Sequence, residues 1–231
     1  MPDEKLYAVA EACACIANYP LTPRRIDEVV IHHTWSPTAA QYQGLSTIKG
    51  VRNYHMQVRG WSDNGYHWML GPNGDVWRCR PMLETGAHVS GRNAHTAGVS
   101  FVANFDVEDP TRYGGMDEGL RIIAALLVRY QLGVANIRFH REFADKTCPG
   151  AKVSLATVRG QVAALMAPDD SQEPESAPDA PDVSPWAQEA VDWCRREGLM
   201  VGYPDGLFHG REPVSREQLA VVLKRFADKE V

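Results

Sequence analysis

No stretch of this 231-residue chain strings together the roughly 18 apolar residues that a membrane-spanning helix needs. No basic, apolar leader is expected either. The first residues are Met1-Pro2-Asp3-Glu4-Lys5, and Glu11 interrupts the apolar stretch behind them, a pattern unlike a secretory signal. The expectation is synthesis into the cytoplasm with no membrane partner. Charge of one sign is also scarce. The formal net charge is -5, but residues 1 to 166 hold 17 Lys and Arg against 15 Asp and Glu, and six acids with no base fall between 167 and 183. The acidity therefore belongs to one short segment, and no basic footprint for nucleic acid remains. Cysteine is sparse and odd in number, five in all, which excludes a disulfide framework. Cys13 and Cys15 stand two apart, on different faces of any helix. Together with Cys79 and Cys194 they are read as structural.

What the chain does have is 44% hydrophobic residues, enough for one domain of ordinary size and a smaller appendage. Helical spacing of Leu6, Val9, Ala10, Cys13 and Ile16 predicts an amphipathic helix over 4–18. The run 26–34 reads as a buried strand with His32 near its carboxyl end. Ser46 or Thr47 is the expected cap of a helix that carries Ile48, Val51 and His55 on one face and ends near Gly60. Pro72-Asn73-Gly74 between 66–70 and 75–79 signals a hairpin, which would hold Tyr66 on a strand. A strand over 98–105, a helix over 116–132 stopped by Gly133, and a strand over 136–140 complete the domain. The expected fold class is α/β, with a central mixed sheet flanked by helices.

His140 and Cys148 lie eight apart after the last of these strands. Imidazole nitrogen and thiolate sulfur are both good zinc ligands, and three protein ligands leave one tetrahedral corner open. His32, His140 and Cys148 are the candidate set. Spacing alone leaves open the plainer reading, in which a buried histidine is a hydrogen-bonded core residue and a cysteine a small hydrophobe. Four blocks occur in one order: His32-His33-Thr34, Gly65-Tyr66-His67-Trp68, Gly86-Ala87-His88 with Gly91 and Asn93, and His140 through Lys146, Cys148 and Pro149. Together, over residues 26 to 160, they resemble the type-2 N-acetylmuramoyl-L-alanine amidases, a family that includes phage lysozyme-type amidases and animal peptidoglycan recognition proteins.

The resemblance implies one Zn(II) per chain held by His32, His140 and Cys148, with His33 at a position where the family accepts other residues. Tyr66 and Lys146 match its active-site residues. His88, Arg92 and Asn93 are assigned to the groove for glycan or stem peptide, and Glu142 and Asp145 are read as solvated or supporting carboxylates. The implied substrate is bacterial peptidoglycan, cut at the amide between N-acetylmuramic acid and L-alanine, in the manner of a phage endolysin acting after release from the cytoplasm. Two alternatives stand beside it. One is a peptidoglycan-binding receptor without catalysis, a class that typically lacks the ligand cysteine present here as Cys148. The other is a structural zinc closed by a fourth ligand, His33 or His88.

Residues 167–183 are rich in proline and acid, a composition that stays extended and reads as a linker between a domain over 1–166 and a module over 184–231. Asp182-Val183-Ser184-Pro185-Trp186-Ala187, Gly202-Tyr203-Pro204-Asp205-Gly206 and Pro213-Val214-Ser215-Arg216-Glu217-Gln218 resemble one S-layer homology repeat, which implies attachment to a secondary wall polymer. A helix from Pro185 to Glu197 stopped by Gly198, and another opening with a Ser215/Gln218 capping box, are expected. Trp186, Ala190, Trp193, Leu219, Val222 and Phe226 are the expected core. One repeat is marginal alone, so 184–231 is expected either to dock on the amidase domain or to join copies of the chain into a homo-oligomer.

Overall fold

The computed structural model describes residues 4–21, 24–167, 183–200, 207–210 and 212–228. The chain divides into two compact units, Met1–Ala167 and Pro168–Val231. Most of the expected linker and the Gly202–Gly206 motif lie outside the described residues.

The first unit is built on a six-stranded mixed sheet of β1 (Lys5–Tyr7), β2 (Glu28–His33), β3 (Trp68–Leu70), β4 (Val76–Arg78), β5 (Thr96–Phe101) and β6 (Ile137–Phe139). Their order is β1-β4-β3-β5-β2-β6. β5 and β6 flank β2 in parallel, β3 runs parallel to β5, and the β3–β4 hairpin and the β1–β4 pair are antiparallel. All six residues of β2 and of β5 are buried, as expected for parallel strands covered on both faces.

Alternation along the strands sorts the two faces. Val29, Ile31, Trp68, Leu70, Val99 and Phe101 point into the main core with Ile122, Ile123, Leu126 and Leu127 of α3 (Met116–Arg129), backed by α1 (Val9–Ala17) and α4 (Leu155–Met166). Each such side chain contributes roughly 1.5–3 kcal/mol on burial. Met69 and Val102 face the other way, against Ile48 and Val51 of α2 (Leu45–Asn53). His32 is on this second face as well, opposite Ser100.

Several expected boundaries move. The amino-terminal helix begins only at Val9, because residues 5–7 instead supply hydrogen bonds to the open edge of β4. α2 is capped at Gly44 rather than Ser46 or Thr47, and the Thr47 hydroxyl accepts from the Gln43 amide at 2.7 Å. It continues into a π turn, Tyr54–Val58, that carries His55 into the interior. α3 stops before Gly133, where Gln131 takes the left-handed conformation (φ 57°) that ends many helices. Tyr66 precedes β3, although its carbonyl still accepts from the Arg80 amide at 3.1 Å, extending the hairpin ladder.

In the second unit, α5 (Gln188–Arg196) follows a short turn at Pro185–Ala187, and Gly198 stands beyond it at φ 64°. α6 (Arg216–Ala227) opens with the expected capping box, Ser215 Oγ accepting from Gln218 N at 3.1 Å. The expected core is not there. Trp186 is 89% exposed, and Trp193, Leu219 and Phe226 are exposed too, while Val183, Val191 and Leu199 are buried. With no residue of α6 buried, a unit this small has too little interior for large aromatic rings.

Candidate metal centre

His32, fully buried at the end of β2, places its Nδ1 atom 3.7 Å from Cys148 Sγ. Its ring centroid lies 4.6 Å from that of His140, the first residue of the turn after β6. The donor atoms of His32, His140 and Cys148 all fall within 4.8 Å of one another. Two ligands at ordinary zinc bond lengths in a tetrahedron sit about 3.6 Å apart, so the nitrogen–sulfur spacing suits that ion. Among the described residues no fourth side chain joins the cluster.

Cys148 sits on a loop, and that loop is pinned. Asp106 accepts from Thr147 Oγ1 and from the Ala151 amide, both at 2.8 Å. The Arg141 amide donates to the Cys148 carbonyl, and its guanidinium donates to the carbonyls of Gly150 and Val153. Burial keeps the ionisable groups of the cluster neutral. It pushes His140 down to about 4, with the Lys146 charge adding to the effect, and holds His32 well below its usual value. The Cys148 thiol is pushed up to about 12, again by burial. A bound cation would favour the thiolate.

A groove of about 530 Å³ reaches the cluster at His140 and is lined also by Lys146, Phe143, Tyr54, Arg59, Trp61 and Tyr66. The Tyr66 ring is 5.1 Å from that of His32. Burial, with the Cys148 thiol nearby, raises the phenol, which remains a proton donor. Lys146 is exposed. Glu142 is committed elsewhere, one oxygen to Arg138 at 2.8 Å and the other to the Phe139 amide at 2.6 Å.

Of the three residues expected in the substrate groove, His88 and Asn93 line it, and Arg92 does not. Arg92 turns to Glu28 at 2.9 Å and over the Phe143 ring at 4.6 Å, sharing both with Arg138. Asn93 lines the groove, but its Oδ1 accepts from the amides of His88 and Val89, both at 2.8 Å. His88 is 7% exposed and reaches back to His32 Nε2 at 3.1 Å. His33 lies on the opposite sheet face, its Nδ1 accepting from the Phe105 amide. Neither His33 nor His88 therefore closes the cluster.

Residues outside the expected set also shape the groove. His55 lines it, stacked on Trp61 and edge-on to Tyr66. Arg59 lies over Trp61 at 5.5 Å. Arg24, beneath the loop that carries His88, bonds five backbone carbonyls. The aromatic content of 54–61 was a visible signal for the groove wall, whereas nothing in the sequence distinguishes Arg24 from a surface arginine.

The N-acetylmuramoyl-L-alanine amidase family profile matches residues 22–151, and the S-layer homology domain profile matches residues 178–220. Peptidoglycan-recognition protein SC1a of Drosophila melanogaster is 31% identical over 130 residues, covering 54% of this chain and 68% of that protein. An endolysin of Enterobacteria phage T3 is 29% identical over 138 residues, covering 58% and 87%. Among solved structures, the endolysin N-acetylmuramoyl-L-alanine amidase LysCS from Clostridium intestinale has a TM-score of 0.53 at 24% identity, over 63% of this chain and 92% of that one. Drosophila PGRP-LB has a TM-score of 0.52 at 24% identity, over 59% and 81%. These two likenesses concern the fold. The chain belongs to the N-acetylmuramoyl-L-alanine amidase family and carries an S-layer homology domain behind the amidase domain.

Proposed function

We propose that the first unit is a zinc-dependent amidase, cutting the bond between the lactyl group of N-acetylmuramic acid and the L-alanine of the peptidoglycan stem. The observation that carries this reading is the convergence of two imidazoles and one thiol beside an open groove, without a fourth protein ligand among the described residues. Zinc bound by these three groups supplies Lewis acidity toward a carbonyl and toward water.

The chain's own groups supply the rest. Tyr66, held as a neutral phenol, donates toward the oxygen that gains charge when the amide carbon becomes tetrahedral. Lys146 presents an ammonium to the same groove. Donors placed where charge develops are each worth about 3–4 kcal/mol in well-studied hydrolases. His140 and Cys148 are held by short turns, so the donor set is shaped before substrate arrives. The S-layer homology domain supports attachment to a secondary wall polymer. Resemblance to the phage T3 endolysin supports a wall-lytic role exerted once the membrane has been opened.

The discriminating experiment measures zinc content and turnover together. Tyr66→Phe and Lys146→Ala should each lower kcat by about 10²-fold or more while retaining one zinc per chain. Full turnover by Lys146→Ala would remove its oxyanion role. A wild-type protein that binds wall fragments without releasing alanine amino termini would favour the receptor reading, which the similarity to recognition proteins keeps in view.

A further inference from the structure

Behind the metal-facing side of His32, four polar groups form a line. The Thr96 hydroxyl lies 3.1 Å from the Arg92 carbonyl and 3.4 Å from His88 Nε2. His88 Nδ1 then lies 3.1 Å from His32 Nε2, and His32 Nδ1 faces Cys148. A carbonyl only accepts, so the single proton of the Thr96 hydroxyl goes to Arg92 and its oxygen receives the His88 Nε2–H. A neutral imidazole has one donor and one acceptor nitrogen. His88 Nδ1 is therefore the acceptor for the Nε2–H of His32, and His32 Nδ1 is left with a free lone pair.

From this chain of bonds we infer that His88 is a positioning residue: it selects the tautomer and ring orientation in which His32 offers Nδ1 to the metal. The inference rests on the zinc reading above. It adds a second role to His88, which also lines the groove.

The surroundings fix His88 as such a role requires. Its backbone amide is held by Asn93, and its ring lies between two glycines. A Cβ added at Gly98 would meet the ring at 2.8 Å, and one at Gly86 at 2.5 Å. Partners of metal-bound histidines commonly change metal affinity by 10- to 100-fold when removed.

The test uses the full chain and zinc alone, without wall substrate, by competition with a chromophoric chelator. The cobalt(II)-substituted protein gives a spectroscopic readout of ligand geometry. His88→Ala should bind zinc about 10- to 100-fold more weakly and alter the cobalt absorption bands. His88→Asn, whose amide oxygen stands near the place of Nδ1, should restore most of the affinity and the wild-type bands. Thr96→Val, which removes the hydroxyl beside His88 Nε2, should weaken zinc in the same direction, and it serves the purpose if His88→Ala does not fold. Unchanged zinc affinity and cobalt bands in His88→Ala, or in Thr96→Val, would overturn the inference. A raised KM with unaltered zinc affinity would return His88 to the substrate groove. Failure of the wild-type chain to bind zinc would overturn the metal centre itself, an outcome distinct from either of these.

Discussion

Replacing Arg24 by alanine should cost about 3–5 kcal/mol of stability. The guanidinium donates from Nε to Ala94 at 3.0 Å, from one terminal nitrogen to Met82 at 3.0 Å and Glu84 at 2.9 Å, and from the other to Asn93 at 2.6 Å and to the Thr96 carbonyl. All five acceptors are backbone oxygens of the segment 82–96. The bonds to Ala94 and Glu84 are exposed, and water replaces them at little cost. Those to Met82, Asn93 and Thr96 are partly buried, and hydrogen bonds to a charged group contribute about 1.5–3 kcal/mol each. Discounting for residual water access brings the sum to the figure given, a third or more of the stability of an ordinary domain. Arg24→Lys should recover only part of it, since an ammonium lacks the planar fork that reaches both sides of the loop. Denaturant unfolding of the metal-free protein reads the effect directly. A loss below about 1 kcal/mol for Arg24→Ala would show that the loop holds itself and that Arg24 is incidental.

Three further outcomes are expected. Cys148→Ser should lose most of its zinc, because a neutral hydroxyl is a poor substitute for thiolate; zinc retained at full stoichiometry would refute the ligand assignment. His55 is pushed down to about 4 by burial, so the unfolded chain binds more protons below about 6.5, and stability, intact above that value, falls as pH drops toward 4. His55→Gln should flatten this acid limb by about 2–3 kcal/mol between pH 7 and 4.5, and an unaltered slope would contradict the burial argument. Sedimentation of the chain with and without residues 184–231 tests self-association: the exposed apolar side chains of α6 lead us to expect an oligomer that dissociates on truncation, and a monomeric full-length chain would exclude it.

The grouping of His32, His140 and Cys148 was legible less from residue type, which left a core histidine and a small buried cysteine open, than from the order of the four sequence blocks that carry them. Strand alternation also accounts for the different fates of His32 and His33, since neighbouring residues on β2 face opposite layers. The mixed sheet could be read from turn signals and apolar runs. β1 could not, because three residues on a sheet edge carry too little pattern to outweigh the helical spacing that follows them. The role of His88 was hidden for a different reason. Its position in the chain places it on the groove loop, but the direction of its ring is set by Gly86, Gly98 and Asn93, which are distant from His32 in sequence. Arg24 was invisible because its partners are carbonyls, which every residue possesses. In the second unit, helix spacing identified apolar positions but not whether any neighbour covers them, so exposed Trp186 was expected in a core.

Mass spectrometry of cell walls digested by the zinc-loaded chain addresses the central claim most directly. The expected result is stem peptides bearing new L-alanine amino termini with glycan strands left intact, and no released stem peptides once a chelator removes the zinc. New reducing sugar ends, or identical alanine release from metal-free protein, would contradict it.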